Sequence, residues 1–109
     1  MVKLLIKNIK EVEESVRENV ENVCKEKADY YNNLFKKYDK ELTLEVIFNK
    51  SSSVYTVSAS INLKSKKVLL AEEGNDVLKS TVQLFNEFKK AVKRQYELER
   101  KDYEYKRKR

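Results

Sequence analysis

The chain has 109 residues, 39% of them charged and 40% hydrophobic, and a net charge of +6. That length fits one domain with a modest core. Cys24 is the only cysteine and there is no histidine, which excludes an intrachain disulfide, a Cys/His metal site and a histidine-dependent catalytic triad.

One thiol fits a reducing, cytoplasmic compartment. No apolar run reaches the length of a membrane span. Leu4-Leu5-Ile6 is too short for the core of a signal peptide. Proline is absent and Gly74 is the only glycine, which argues against a loop-rich architecture.

Val2 to Ile9 reads as a first strand, with Val2, Leu4 and Ile6 alternating with Lys3 and Lys7. From about Glu11 the period becomes helical. Val12, Val16, Val20, Val23, Cys24, Tyr31, Leu34, Phe35 and Tyr38 form one stripe. Glu11, Glu13 and Glu14 suit the positive end of the helix dipole, and Lys36 and Lys37 the negative end. Asn8 is the available capping residue. Lys27 falls inside the stripe, where it either snorkels or marks a bend. Cys24 is expected to be a small core side chain.

Asp39-Lys40-Glu41 ends this helix. Leu42, Leu44, Val46 and Phe48 alternate with Thr43, Glu45 and Asn49 in a second strand, and Ser51-Ser52-Ser53 is a polar turn. Tyr55, Val57, Ala59, Ile61 and Leu63 alternate with hydroxyls and Asn62 in a third strand, so one face is covered and the other is polar. Lys64 to Lys67 is a short antiparallel link to a fourth strand, Val68-Leu69-Leu70-Ala71. Glu72 to Asp76 then turns into a helix. Gly74 can take positive φ there without steric cost, and Asn75 or Asp76 can cap the first helical N–H groups.

The second helix begins near Asn75. Leu78, Thr81, Val82, Phe85, Phe88, Val92 and Tyr96 form its expected apolar face. Lys79, Gln83, Lys90, Lys93 and Arg94 fall on the other side. The order β-α-β-β-β-α predicts an α/β fold of the α+β type. It is a two-layer sandwich, a four-stranded sheet with two helices packed on one face. Residues 1–100 form the domain and residues 101–109 a basic tail.

The sequence holds no Gly-rich phosphate loop. Glu11, Glu13, Glu14, Glu72 and Glu73 read as helix-start or turn charges rather than catalytic carboxylates. A binding module without metal or cofactor remains. Residues 1–41 carry nine basic and nine acidic side chains, whereas residues 100–109 carry six and two. A basic end on a near-neutral body points to an anionic partner. A solvated helix end whose charge only aids solubility is the plainer alternative.

The β-α-β-β-β-α order, the strand Ala59-Ser60-Ile61-Asn62-Leu63 and the turn Glu73-Gly74-Asn75-Asp76 into a basic helix resemble the ribosome hibernation promoting factor family. That family is also called ribosome-associated inhibitor A or sigma-54 modulation protein. The resemblance runs from the first strand to about Arg94 and includes Val16-Arg17-Glu18. It implies a cytoplasmic translation inhibitor in the decoding channel of the small ribosomal subunit, across the mRNA path and the A- and P-site tRNA positions. It also implies stress and stationary-phase ribosome hibernation, and the short form of the family, which lacks the second domain that pairs ribosomes. Lys90 and Arg94 stand where the family's second helix carries Arg or Lys, and Arg17 matches a basic residue early in its first helix. Lys25 and Lys27 match loosely. Glu87 stands where Lys is common and Leu78 where Tyr is common.

The expected rRNA contacts are thus Arg17, Lys25, Lys79, Lys89, Lys90, Lys93 and Arg94. Of these, Lys79, Lys90, Lys93 and Arg94 also follow from the charge and spacing of the second helix. Such phosphate contacts set affinity without reading base sequence. The expected partner is the small subunit and its rRNA, not DNA, a membrane or a small molecule, and the free protein is expected to be a monomer. Two other readings compete. A double-stranded RNA-binding domain shares the α-β-β-β-α order over residues 11–100, but grips duplex RNA through a basic start to its second helix. A protein-interaction adaptor would use the polar sheet face and the charged tail.

Overall fold

The computed structural model describes the backbone of residues 1–107 and the side chains of residues 1–101. The expected tail at 101–109 therefore lies, in its side chains beyond Lys101, outside the described residues. The elements are β1 (Val2–Lys7), a single 3-10 turn (Ile9–Glu11), α1 (Glu14–Leu34), β2 (Leu42–Ser51), β3 (Val54–Asn62), β4 (Lys67–Gly74) and α2 (Val77–Arg107). The sheet is mixed, in the order β1-β2-β3-β4. β1 pairs parallel to β2, with Val2 opposite Leu42 and Ile6 opposite Val46. The other two pairings are antiparallel, with Val46 opposite Ala59 and Ile61 opposite Val68.

Alternation decides which face is covered. Leu42, Leu44, Val46, Phe48, Tyr55, Val57, Ala59 and Ile61 point inward and are buried. Val20, Cys24, Tyr31 and Phe35 of the α1 side, with Leu84, Phe85, Phe88 and Val92 of α2, complete the same core. The two helices meet through aromatics. Tyr31 is edge-on to Phe88 at 6.0 Å, and Phe35 lies 4.8 Å from Tyr96. Cys24 is fully buried, and desolvation followed by the Glu21 charge pushes its thiol pKa up to about 12. Cys24 is thus a small core side chain, as its place on the stripe implied.

Several boundaries differ from the expectation. Asn8 does not cap a long helix. It takes a left-handed conformation, φ 62, and opens the 3-10 turn, with the Glu11 N–H donating to its carbonyl at 2.9 Å. Val12 then returns to an extended conformation and is buried, so α1 starts only at Glu14. Lys36 and Lys37 follow the helix rather than ending it, because α1 closes at Leu34 with Phe35 as its C-cap. α1 is continuous through Lys27, which is partly buried, so this lysine snorkels and no bend forms.

β4 extends beyond Ala71 to Gly74, since β3 offers Val57, Thr56 and Tyr55 as partners for Glu72, Glu73 and Gly74. Strand pairing here overrides the poor strand preference of the two glutamates. Gly74 does not use positive φ. Its role is steric: a Cβ there would run into the Ser80 hydroxyl at the start of α2. Asp76, not Asn75, caps α2, accepting from the Lys79 N–H at 3.1 Å. On α2 the buried stripe is Val77, Thr81, Leu84, Phe85, Phe88 and Val92, while Val82 is 42% exposed. Val82, expected on the apolar face, lies one 100° step beyond Thr81 toward solvent.

The outer turns of α2 are tied back to the body by a polar clamp. Tyr38, after α1, donates its hydroxyl proton to Glu99 at 2.5 Å and accepts from the Lys64 N–H at 2.8 Å. The Ser65 N–H donates to the other Glu99 oxygen at 3.1 Å, and the Ser65 hydroxyl bonds to it as well. Gln95 donates to the Ser65 hydroxyl at 2.7 Å, and Lys64 pairs with Asp39. Partial burial alone would raise the Glu99 pKa. The hydrogen bonds from Ser65 and Tyr38 and the Lys64 charge outweigh it, so the carboxyl titrates below its ordinary value. Burial, then the bond to Glu99, pushes the Tyr38 hydroxyl up to about 12.

Two predictions follow from this packing. Gly74→Ala should destabilise the protein by about 1–2 kcal/mol through overpacking. Adding Ser80→Ala should recover most of the loss, because it removes the colliding hydroxyl. Urea unfolding of the single and double variants checks this; additive losses would show that the contact is not the cause. For the clamp, a depressed folded-state pKa gives stability that is present above the ordinary glutamate value and lost as pH falls through the folded value. Wild type should therefore melt higher than Glu99→Gln at neutral pH, and the gap should close below pH 4.5. Thermal unfolding over a pH series reads it, and a gap independent of pH would count against an ionised Glu99 in the clamp.

Candidate nucleic-acid interface

Because both helices cover the same sheet face, their outer surfaces form one side of the molecule. α2 supplies most of its positive charge. Lys79, Lys90, Lys93 and Arg94 are all exposed. Eleven residues from Lys79 to Lys90 make about three helical turns, or ~16 Å, so the two stand on one line. Arg94 continues it one turn later. Gln83 and Asn86 fill the interval with exposed neutral polar groups. Glu87 is the acidic interruption, 3.6 Å from the Lys90 ammonium, with both side chains more than half exposed. Such a pair contributes little to stability and leaves Lys90 able to turn to another anion.

Lys89 points elsewhere. Its ammonium lies 4.8 Å from the ring centroid of Tyr30 on α1. It therefore borders the groove between the helices rather than the outer line. Arg100 repeats the arrangement, 5.8 Å from the ring centroid of Tyr96. Sequence periodicity marked neither tyrosine as part of a surface. For Tyr30 the signal, a cation on the ring, is visible only with α1 beside α2; for Tyr96 it is the i, i+4 spacing to Arg100 within α2.

The two basic residues expected on α1 are not gathered with these. Arg17 is partly buried, and its Nη2 donates to the Val12 carbonyl at 2.9 Å and to the Lys10 carbonyl at 3.4 Å. It satisfies carbonyls freed where the 3-10 turn breaks off. Lys25 is exposed but lies seven residues, about two turns, before Asn32. The Asn32 side-chain Oδ1 accepts from the Val2 N–H of β1 at 2.5 Å. Lys25 thus sits on the β1 flank of α1, away from the flank where Tyr30 meets α2.

The start of α2 is mostly acidic on the side that faces β4. Glu72, Glu73 and Asp76 line the shallow depression there, with Lys79 as its one base. A double-stranded RNA-binding domain needs a basic start to this helix. Among the described residues, no group of three or more His, Cys, Asp or Glu side chains is placed to hold a metal ion. No described helix is long and apolar enough to cross a membrane.

No family profile matches the sequence, and no curated protein matches it significantly. Solved structures do match. A ribosomal subunit interface protein from Coxiella burnetii superposes with a TM-score of 0.52 at 14% identity, covering 87% of this chain and 97% of that one. The N-terminal domain of Thermus thermophilus Protein Y aligns at 19% identity and a TM-score of 0.44, covering 82% of this chain and 96% of that one. The β-α-β-β-β-α fold expected from the hibernation-factor resemblance is the fold observed, and it is shared over nearly its whole length with a ribosomal subunit interface protein.

Proposed function

We propose that this protein is a ribosome-binding translation inhibitor. Its helix-bearing side contacts rRNA in the decoding channel of the small subunit and excludes mRNA and tRNA. The observation that carries the reading is the exposed line Lys79, Lys90, Arg94 with Lys93 beside it, on a fold shared with a ribosomal subunit interface protein. Four bases along about four turns of one helix suit the phosphates of folded RNA, which they hold by charge and not by sequence. Lys89 and Arg100 extend the positive side toward α1. Arg17 contributes indirectly, by fixing the start of α1, and Lys25 is not needed for the contact. The reading places the protein in the cytoplasm, as a hibernation factor of stressed or stationary cells.

Co-sedimentation with purified ribosomes and separated subunits tests it directly. Wild type should pellet with small subunits and inhibit a cell-free translation extract in competition with initiator tRNA. Lys90→Glu with Arg94→Glu replaces two attractions by two repulsions and should abolish association at physiological salt. Its melting temperature should hardly move, since exposed substitutions cost roughly 0.5 kcal/mol or less each. Wild-type affinity should fall by about 0.7–0.9 log units per tenfold salt for each phosphate neutralised. Full translation at saturating, ribosome-bound protein would sink the channel-blocking reading. Undiminished binding by the double variant would remove α2 from the interface.

A further inference from the structure

The groove between α1 and α2 carries a chemistry that the outer lysine line does not. Tyr30 and Tyr96 stand on its two sides, each partly buried. Each is anchored from behind by the aromatic core. Tyr30 is edge-on to Tyr31 at 5.1 Å, and Tyr96 meets Phe35 at 4.8 Å and Tyr38 at 5.6 Å. Over each ring sits a cation, Lys89 on Tyr30 and Arg100 on Tyr96. Both cations are exposed. No carboxylate forms a salt bridge with either among the described residues.

A ring held rigidly at its edge, with a long cationic side chain resting on it, is a base-stacking platform in its unliganded form. The cation–π contact at an exposed site is weak, about 0.5–1 kcal/mol. A phosphate draws the ammonium or guanidinium off the ring, and the uncovered ring accepts a base. The groove then offers a stacking surface and a phosphate contact at each of two points. Residues 89 and 96 are seven apart on α2, so the two points are ~10 Å apart along the groove. Two or three extended nucleotides span that distance.

We infer that the α1–α2 groove binds single-stranded RNA, stacking unpaired bases on Tyr30 and Tyr96 while Lys89 and Arg100 hold the adjoining phosphates. This rests on the reading of the helix side as an RNA-binding surface, and it names which RNA that surface takes. Stacking selects single strands because a duplex hides its base faces, and it tolerates any base because each has a π-face. Charge alone would favour the duplex, whose phosphates are denser. The order of affinity for single and double strands therefore separates the two modes.

The test uses the full chain and a fluorescently labelled uridine dodecamer, with an RNA duplex of the same length as competitor. At matched salt the dodecamer should bind about tenfold tighter than the duplex. Tyr30→Leu keeps apolar bulk against Tyr31 and removes the stacking face. It should weaken dodecamer binding by about tenfold, within the range for one lost stack, and leave duplex binding unchanged. Photocrosslinking of 5-iodouridine oligomers to the wild-type chain gives a readout independent of folding, with Tyr30 or Tyr96 as the expected adduct. Equal or tighter duplex binding, or adducts confined to other residues, overturns the inference. Ribosome co-sedimentation is read separately. A chain that binds the dodecamer through Tyr30 yet ignores ribosomes loses the ribosomal reading alone. A chain that pellets with ribosomes but prefers duplex loses this inference alone.

Discussion

The structure depends on the aromatic contact that holds α1 and α2 together over one sheet face. Tyr31, Phe35, Phe85, Phe88 and Tyr96 meet there, edge to face where Phe88 meets Tyr31 and Phe85 and tilted where Phe35 meets Tyr31 and Tyr96, and all but Tyr96 are essentially inaccessible to water. Aromatic pairs in such geometry contribute about 0.5–1.5 kcal/mol beyond their area. Their larger effect is geometric. With both helices fixed on one layer, the opposite faces of those helices become one continuous surface. The basic side of the protein exists because the apolar sides share one core. The Tyr31 hydroxyl is the cost of that arrangement, since it is buried without a hydrogen-bond partner.

Strand alternation made most of the fold legible. Leu42 to Phe48 and Tyr55 to Leu63 carry a two-residue period that only a half-covered strand satisfies, and the structure covers that face. Helix boundaries were less legible, for local reasons. Asn8 at φ 62 is a backbone choice that composition alone does not reveal. The stop between the 3-10 turn and α1 is stabilised by Arg17, in the first turn of α1, whose guanidinium donates to the Lys10 and Val12 carbonyls. An arginine that satisfies carbonyls looks, in sequence, like one that awaits phosphate. The Gly74 and Ser80 contact likewise needs the turn of β4 into α2 before it can be seen.

The site was half legible for a related reason. Lys79, Lys90 and Arg94 are placed by helical period alone, and one helix suffices to align them. Lys89 looked equivalent to Lys90 in sequence, yet one step of 100° turns it onto Tyr30. Tyr30 and Tyr96 belong to different helices 66 positions apart, and no local pattern relates them. What joins them is the packing of Tyr31 and Phe35 on Phe88 and Tyr96.

The other face of the sheet clarifies why the helix side carries the charge that matters. Its centre is Ser58 and Ser60, and Lys7 there is paired with Glu45 at 3.4 Å. Leu5 and Leu69 are exposed on either side of that row. Helix and sheet layers together are thicker than a Debye length of about 8 Å at physiological salt. Bases on the sheet side thus cannot reinforce those on α2 at a single phosphate. Each side acts alone, and among the described residues only the helix side combines a line of cations with aromatic rings. The clamp of Tyr38, Ser65 and Glu99 ties α2 to the body beyond Val92, the last fully buried residue of the helix. A hydrogen-bonded carboxylate there does for the turn around Glu99 what burial does for the turns before Val92.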